Sequence, residues 1–387
     1  MRICYTNFSD LNEPSTLNIF YLGEELAKLG HEITMLLPRQ GIRYISHSKR
    51  VNLVYFDIIS SPREAKVASQ AIIQTLVALR QRFDIIHSVK PLIQSALPAI
   101  TAGTFKNTIK VLYWDDYEAF GQHLSPKSNV FYNALIGGLE REFLKMFDGI
   151  ICVSPFLAEI AKSFHPDSKV YLMQNGFSKE LFSVRVSPER IKKKLNIKRS
   201  DKIVMYAGGL KHSEDIDLVI RAMPYVLEEL PNTKLVISGR GPARDDLVRL
   251  SKEIGLSHSV IFTWVPFHEQ VPELLSAADV LTIPLRDRIF NRARFPNRIP
   301  EYMAAGKPIV TNKVGVANII FKDGYNAIVV DSEDPKEFAH GIIRALIDDE
   351  EARKIGERAR EYAWDYLTWD KIAQGIESFY IALLDGR

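Results

Sequence analysis

Five arginines, Arg286, Arg288, Arg292, Arg294 and Arg298, fall within thirteen residues of a chain whose formal net charge is only +3. Guanidinium groups at that density suit carboxylate or phosphate, which they grip at two points. The segment runs through Pro296 and Asn297 into "RIPEYMAAG", a helix-forming stretch closed by Gly306. Proline at a helix start sacrifices no useful donor, and the amides of Asn297 and Arg298 after it face out of the positive end, where an anion is stabilised. Glu301, three residues after Arg298, falls on the same helical face, where its carboxylate can accept bonds from ribose hydroxyls. The alternative is a solvated short helix carrying a salt bridge.

Other groups gather after apolar runs. "LVISGRGP" places Gly239 and Gly241 behind a strand, which suits a loop lying close to a flat base or a phosphate, or a plain strand-to-helix turn. "LYWDDYE" carries Asp115 and Asp116, able to bond sugar hydroxyls, to take a proton, or to cap a helix. His87 in "IIHS" also follows a strand and reads either as an acceptor contact or as a packed histidine. "SEDID" contains Asp215 and Asp217, but with Ser213 and Glu214 it reads as the acidic first turn of a helix rather than a metal site.

These groups need elements to hold them. Apolar strand-length runs alternate with amphipathic helical stretches along nearly all 387 residues, the pattern of open parallel sheets covered by helices. "RICYT", "EITMLL", "LVYFDI", "DIIHSV", "KVLYW", "GIICVS" and "VYLMQN" form one series; "KIVMYAGG", "KLVISG", "VIFTW", "VLTIPL", "PIVTN" and "AIVVD" form a second. Two series predict two Rossmann-like domains, residues 1–178 and 179–365, with a helix over 366–387 that packs on the first domain or bridges both. Ligands of such sheets bind beyond the carboxyl ends of the strands, and two facing sheets enclose a cleft.

The remaining composition excludes several classes. Near-neutral charge argues against nucleic acid as the main partner. Cys4 and Cys152, far apart in apolar runs, make neither a disulfide framework nor a zinc site, which fits a reducing cytoplasm. The chain enters "MRICYTNF" without a leader, and no apolar run approaches the length of a membrane span. "SNVFYNALIGGLEREFLKMF" reads as a core helix, while "RQGIRYISHSKR" offers a basic loop for acidic lipid or plain solvated surface.

In order along the chain, "GHEITMLLP", "FDIIHS", "GIICVSPFLAEIAK", "VYLMQNGFSKELF", "VMYAGGL", "KLVISGRGP", "VPELLSAADVLTIPL", "EYMAAGKPIV" and "VVDSEDPKEFAHGI" resemble the landmarks of glycosyltransferase family 4, of the GT-B fold. The resemblance spans residues 1 to about 350 and implies transfer of a sugar from a UDP- or GDP-linked donor, with retention, without metal and without a cofactor. The donor would lie mainly on the second domain and the acceptor, a glycan or a lipid-linked sugar, mainly on the first, at a cytoplasmic site or peripherally at the inner face of a membrane. On matching positions, Gly208, Gly209, Lys211, Gly239, Gly241, Arg294, Asn297 and Gly315 belong to the donor site. Backbone at Val265 and Pro266 faces the base, Glu301 takes the ribose, and Ser15, Thr16 and His87 face the acceptor. Asp115, Asp116, Arg298 and Glu301 make up the catalytic set.

The chain departs from the family pattern where the diphosphate is held. The usual arginine and lysine fall on Gly209 and Glu214, and the first of two glutamates falls on Ala293. "NEPSTLN" replaces a glycine pair, and a histidine that often contacts the transferred sugar aligns with Asp115. Losing two preorganised cations without replacement costs about 10⁴ or more in rate. The expectation is therefore that Arg298, with Arg294 or another arginine of the cluster, replaces them. The alternative is a silent relative that binds nucleotide or glycan as a partner subunit.

Overall fold

The computed structural model describes residues 1–39, 48–59, 61–118, 130–184, 186–264 and 268–386. Seven strands form one sheet: β1 (Arg2–Thr6), β2 (Glu32–Pro38), β3 (Val51–Phe56), β4 (Ile85–Val89), β5 (Ile109–Trp114), β6 (Gly149–Cys152) and β7 (Val170–Leu172). Their order is β3-β2-β1-β4-β5-β6-β7, and every pairing is parallel. Such strands are covered on both faces, so they read as continuous apolar runs, and β4 is buried at every position.

Helices α1 (Pro14–Lys28), α2 (Arg63–Arg80) and α3 (Ile93–Lys106) connect the first strands. Proline starts α1, and Gly30 beyond its end takes a left-handed φ of 92°. The C-terminal helix, Trp369–Asp385, belongs to this unit: Trp369 stacks on Tyr21 at 6.5 Å, and His31 Nε2 lies 2.7 Å from Glu377 Oε1.

The second unit holds β8 (Lys202–Ala207), β9 (Thr233–Ser238), β10 (Val260–Thr263), β11 (Val280–Ile283), β12 (Ile309–Asn312) and β13 (Ile328–Val330), all parallel, in the order β10-β9-β8-β11-β12-β13. Helices α4 (Ile216–Glu229), α5 (Arg244–Glu253) and α6 (Arg298–Ala305) line it, with α7 (Pro335–Ile347) and α8 (Asp349–Tyr366). One continuous core joins Val219, Ile220 and Met223 of α4 to Phe338 and Ile342 of α7. The chain passes from the first unit to the second between Gly176 and Phe177 and returns at Trp369, while Ala293–Phe295 groups with the first unit.

In each sheet the strand order reverses beside its first strand, between β1 and β4 and between β8 and β11. Loops at the carboxyl ends of those strands diverge there and leave room for a ligand. "LYWDDYE" ends β5, next to β4, with its acids just beyond the strand, and the arginine-rich segment follows β11.

Candidate functional site

In the second unit the loop after β8 lies against the loop after β9. Gly208 N donates to Ser238 O at 2.9 Å, Leu210 N to Arg240 O at 2.8 Å and Ala243 N to Leu210 O at 2.9 Å. A Cβ on Gly239 would stand 1.8 Å from Gly208 O, and one on Gly241 2.2 Å from Leu210 O. Both glycines are required by this approach of two backbones, whatever ligand binds. Gly239→Ala is expected to push the loops apart and cost about 1–3 kcal/mol or more, read as a lowered urea midpoint.

Arg298 opens α6 and is 7 % exposed. Its Nη2 donates to Glu214 Oε2, its guanidinium lies 4.6 Å from the centre of the Tyr206 ring, and its Nη1 is buried without a hydrogen-bond partner. A Cβ built on Gly208 would meet Nε at 3.4 Å, so this cation lies directly against the Gly208–Gly209 loop. Tyr206 Oη holds that loop by donating to Gly209 O at 2.9 Å. Burial disfavours the charge, but the carboxylate of Glu214 outweighs it, and the guanidinium is held more firmly charged than usual. Glu214 and Arg298 thus form a buried ion pair at the position where the resemblance expects a lone lysine. Lys211, at the mouth of the same loop, is exposed, and its Cε lies 4.0 Å from where a Cβ on Gly209 would be.

Three other arginines of the cluster, Arg286, Arg288 and Arg292, are paired with carboxylates of the same unit. Arg286 makes a two-point bond to Asp217 at 2.8 and 2.7 Å and a third to Asp215 Oδ1 at 3.1 Å. Asp215 also accepts from Asn291 Nδ2 at 2.7 Å and pairs with Arg288 at 3.3 Å. Arg292 pairs with Asp287 at 2.5 Å. Asp215 itself is left-handed at φ 51°, and Ser213 and Glu214 belong to a 3-10 turn, so only Asp217 lies in the first turn of α4. The acidic run is therefore an anchor for the arginine loop rather than a helix start. Arg294 is buried, in the segment that groups with the first unit. Gly315, at φ 54°, lies under the same loop; a Cβ there would stand 2.4 Å from Asn291 O.

Glu301 lies in the first turn of α6, with Oε1 2.5 Å from Nε2 of His268. Sequence reasoning missed His268; its only signal was its place just after the "VIFTW" strand. Burial pushes this ring toward neutrality, but the carboxylates of Glu301 and Glu269 raise it above the ordinary histidine value. Its contribution to stability is complete below the unfolded value and is lost as pH rises through the folded one. The stability advantage of the native chain over His268→Asn should accordingly shrink from pH 6 to pH 8, as urea midpoints at each pH will read. Val265 and Pro266 lie outside the described residues, as do residues 40–47 of the basic loop.

In the first unit, Lys90 at the end of β4 reaches the acids that follow β5. Its Nζ donates to Asp116 Oδ2 at 2.6 Å and to Glu118 Oε1 at 2.7 Å, and lies 3.6 Å from Asp115 Oδ1. Lys90 is 5 % exposed and left-handed at φ 69°. Asp115 is 8 % exposed; burial pushes its carboxyl up to about 7 against the attraction of Lys90, and Asp116 adds to the rise. Ser15, in the first turn of α1, acts against that rise. Lys90 and Glu118 were not singled out from the sequence, where an isolated lysine and glutamate carry no pattern.

Two expected acceptor contacts are corrected. His87 is completely buried; its Nδ1 lies 2.5 Å from Tyr380 Oη, the rings of Tyr5, Tyr113 and Tyr380 surround it, and burial lowers it to about 3. Thr16 is likewise without exposure, its hydroxyl 3.5 Å from Ser9 O. A side chain closed off on all sides touches no acceptor.

A family model described as Glycosyl transferases group 1 matches residues 187–362, and one described as Glycosyltransferase Family 4 matches residues 18–181. An uncharacterized glycosyltransferase of Methanocaldococcus jannaschii is 32 % identical over 62 % of this chain and 62 % of its own length. The N-acetyl-alpha-D-glucosaminyl L-malate synthase of Bacillus anthracis is 24 % identical over 94 % of this chain and 92 % of its own. A D-inositol 3-phosphate glycosyltransferase of Corynebacterium diphtheriae is 28 % identical over 57 % of this chain, and the match spans 52 % of that relative's length. Among solved structures, the sucrose-phosphate synthase of Thermosynechococcus elongatus superposes with a TM-score of 0.80 over the whole of both chains at 18 % identity. The Anabaena protein HepE in complex with UDP-glucose superposes with a TM-score of 0.76 over 98 % of both at 18 % identity.

Proposed function

The chain belongs to the group 1 glycosyltransferases of family 4 and has their two-domain α/β GT-B fold, and from this premise we propose that it moves a sugar from a UDP- or GDP-linked donor to a hydroxyl of a glycan or lipid-linked acceptor. The observation that carries the reading is Arg298, buried against the Gly208–Gly209 loop with one guanidinium nitrogen unpaired. A departing diphosphate placed over that loop would meet this nitrogen, Lys211 and the positive end of α6, and Glu301 one turn further would accept from the ribose. Preorganised charge aimed at a developing negative charge is usually the largest single contribution to lowering a barrier.

In a retaining, metal-independent transfer the bond from the anomeric carbon to the diphosphate oxygen breaks, and the acceptor oxygen bonds to the same face. Its proton passes to the departing phosphate, so no protein nucleophile is required. Cations suffice because the charge to be offset is on the leaving group. A catalytically silent subunit loses its support, since the named relatives are enzymes. Among the described residues no helix is long and apolar enough to cross a membrane.

Thermal melting with UDP, GDP, ADP and their sugar conjugates tests the donor assignment. At a hundredfold excess over Kd, a ligand of the native state adds about 2.7 kcal/mol. A rise with UDP or GDP and with the matching sugar nucleotide, followed by slow release of free sugar, is the expected result. No shift with any of the three nucleotides would overturn it.

A further inference from the structure

Lys90, Asp115, Asp116 and Glu118 lie at the carboxyl edge of β4 and β5, beside the reversal of strand order between β1 and β4, where an open parallel sheet receives a ligand. Two of the three Lys90 protons are committed to Asp116 and Glu118. Asp115 Oδ1 is buried, 3.6 Å from Lys90 Nζ and beyond hydrogen-bond distance, and it has no hydrogen-bond partner. A buried carboxylate oxygen left in that state is costly, and a donor from outside the protein relieves it. The backbone at Lys90 is also unusual, a left-handed lysine held by Ser88 Oγ and Ser95 Oγ, which both donate to its carbonyl at 3.1 and 3.0 Å. The fold spends backbone strain to hold an ammonium group at this edge.

Charge decides what the place can accept. One ammonium faces three carboxyl groups, and Glu13 adds a fourth negative group at longer range, so the cluster is negative whether or not Asp115 carries its proton. A hydroxyl supplies the missing donor without adding charge, whereas a phosphate or carboxylate supplies neither and meets like charge in partly dry surroundings.

We propose that this cluster is the acceptor subsite, that Asp115 Oδ1 accepts a hydrogen bond from an acceptor hydroxyl, and that the surplus of carboxylates excludes acceptors bearing a phosphate or carboxylate near that hydroxyl. The inference rests on the transferase reading and adds the acceptor's chemical class to it.

The test compares glucose with glucose 6-phosphate by saturation-transfer NMR on the full chain, in the presence of the nucleotide that raises the melting temperature. Native protein should bind glucose and reject its phosphate. In Asp116→Asn/Glu118→Gln the ratio should shift roughly tenfold or more toward the phosphate, as removal of two like charges demands. Asp115→Asn, which keeps shape, should weaken glucose roughly tenfold by withdrawing a charged acceptor, while the nucleotide still raises the melting temperature. Preference of the native chain for glucose 6-phosphate, binding of neither sugar, or an unchanged glucose affinity in Asp115→Asn each overturns the subsite. Failure of the donor reading shows separately, as absence of any nucleotide effect.

Discussion

Glu214→Gln will lower the stability of the ligand-free protein by about 3–5 kcal/mol, because it leaves the Arg298 guanidinium buried without its counter-charge. A nucleoside diphosphate will return much of that loss, so the nucleotide-induced rise in melting temperature will be larger in the variant than in the native chain. The reason is competition: in the free protein Glu214 is paired with Arg298, the cation that the proposed function assigns to the diphosphate. Arg298→Ala behaves oppositely, removing nucleotide binding along with stability and slowing transfer by about 10²–10³. The double variant Glu214→Gln/Arg298→Met separates fold from function, since replacing both members of a buried pair is often close to neutral for stability. It should melt near the native temperature and fail to respond to nucleotide. A nucleotide shift that survives in the double variant would remove Arg298 from the donor site.

Lys90→Met should cost a similar amount, and its cost should depend on pH. Without the ammonium, the carboxyl groups of Asp115, Asp116 and Glu118 share a half-dry site and take up protons more readily. The folded variant then binds more protons than the unfolded chain, so its stability falls as pH rises. The deficit against the native chain is expected to be largest near pH 8 and to shrink toward pH 5, as urea midpoints across the range will read. A deficit independent of pH would mean that Lys90 acts through packing against Phe8, whose ring lies 5.4 Å away, and not through charge.

Every strand of both sheets was legible as an apolar run between polar breaks. "DIIHSV" became β4, "KIVMYAGG" became β8, and the rest followed in order. Buried parallel strands advertise themselves in this way because both faces must be apolar. The same rule explains why His87 misled: a polar residue in such a run reads as functional, yet the ring lies wholly inside the core, with Nδ1 against the Tyr380 hydroxyl of the distant C-terminal helix. The glycines of "SGRGP" stood out for the right positions, but the Gly208 and Leu210 carbonyls they pack against lie about thirty residues earlier.

By itself the amino-acid sequence determined the two parallel sheets, their helices and the family, because these depend on local periodicity and ordered motifs. Only the tertiary structure decided which charges are available. Arg286, Arg288 and Arg292 are spent on Asp215, Asp217 and Asp287, Arg298 keeps one nitrogen unpaired beside Glu214, and Lys90 is drawn to three acids from the next strand's loop. Formal charges can be counted along a chain. Their pairing depends on distances of a few ångströms between segments that are dozens of residues apart, and on how much water the fold leaves around them.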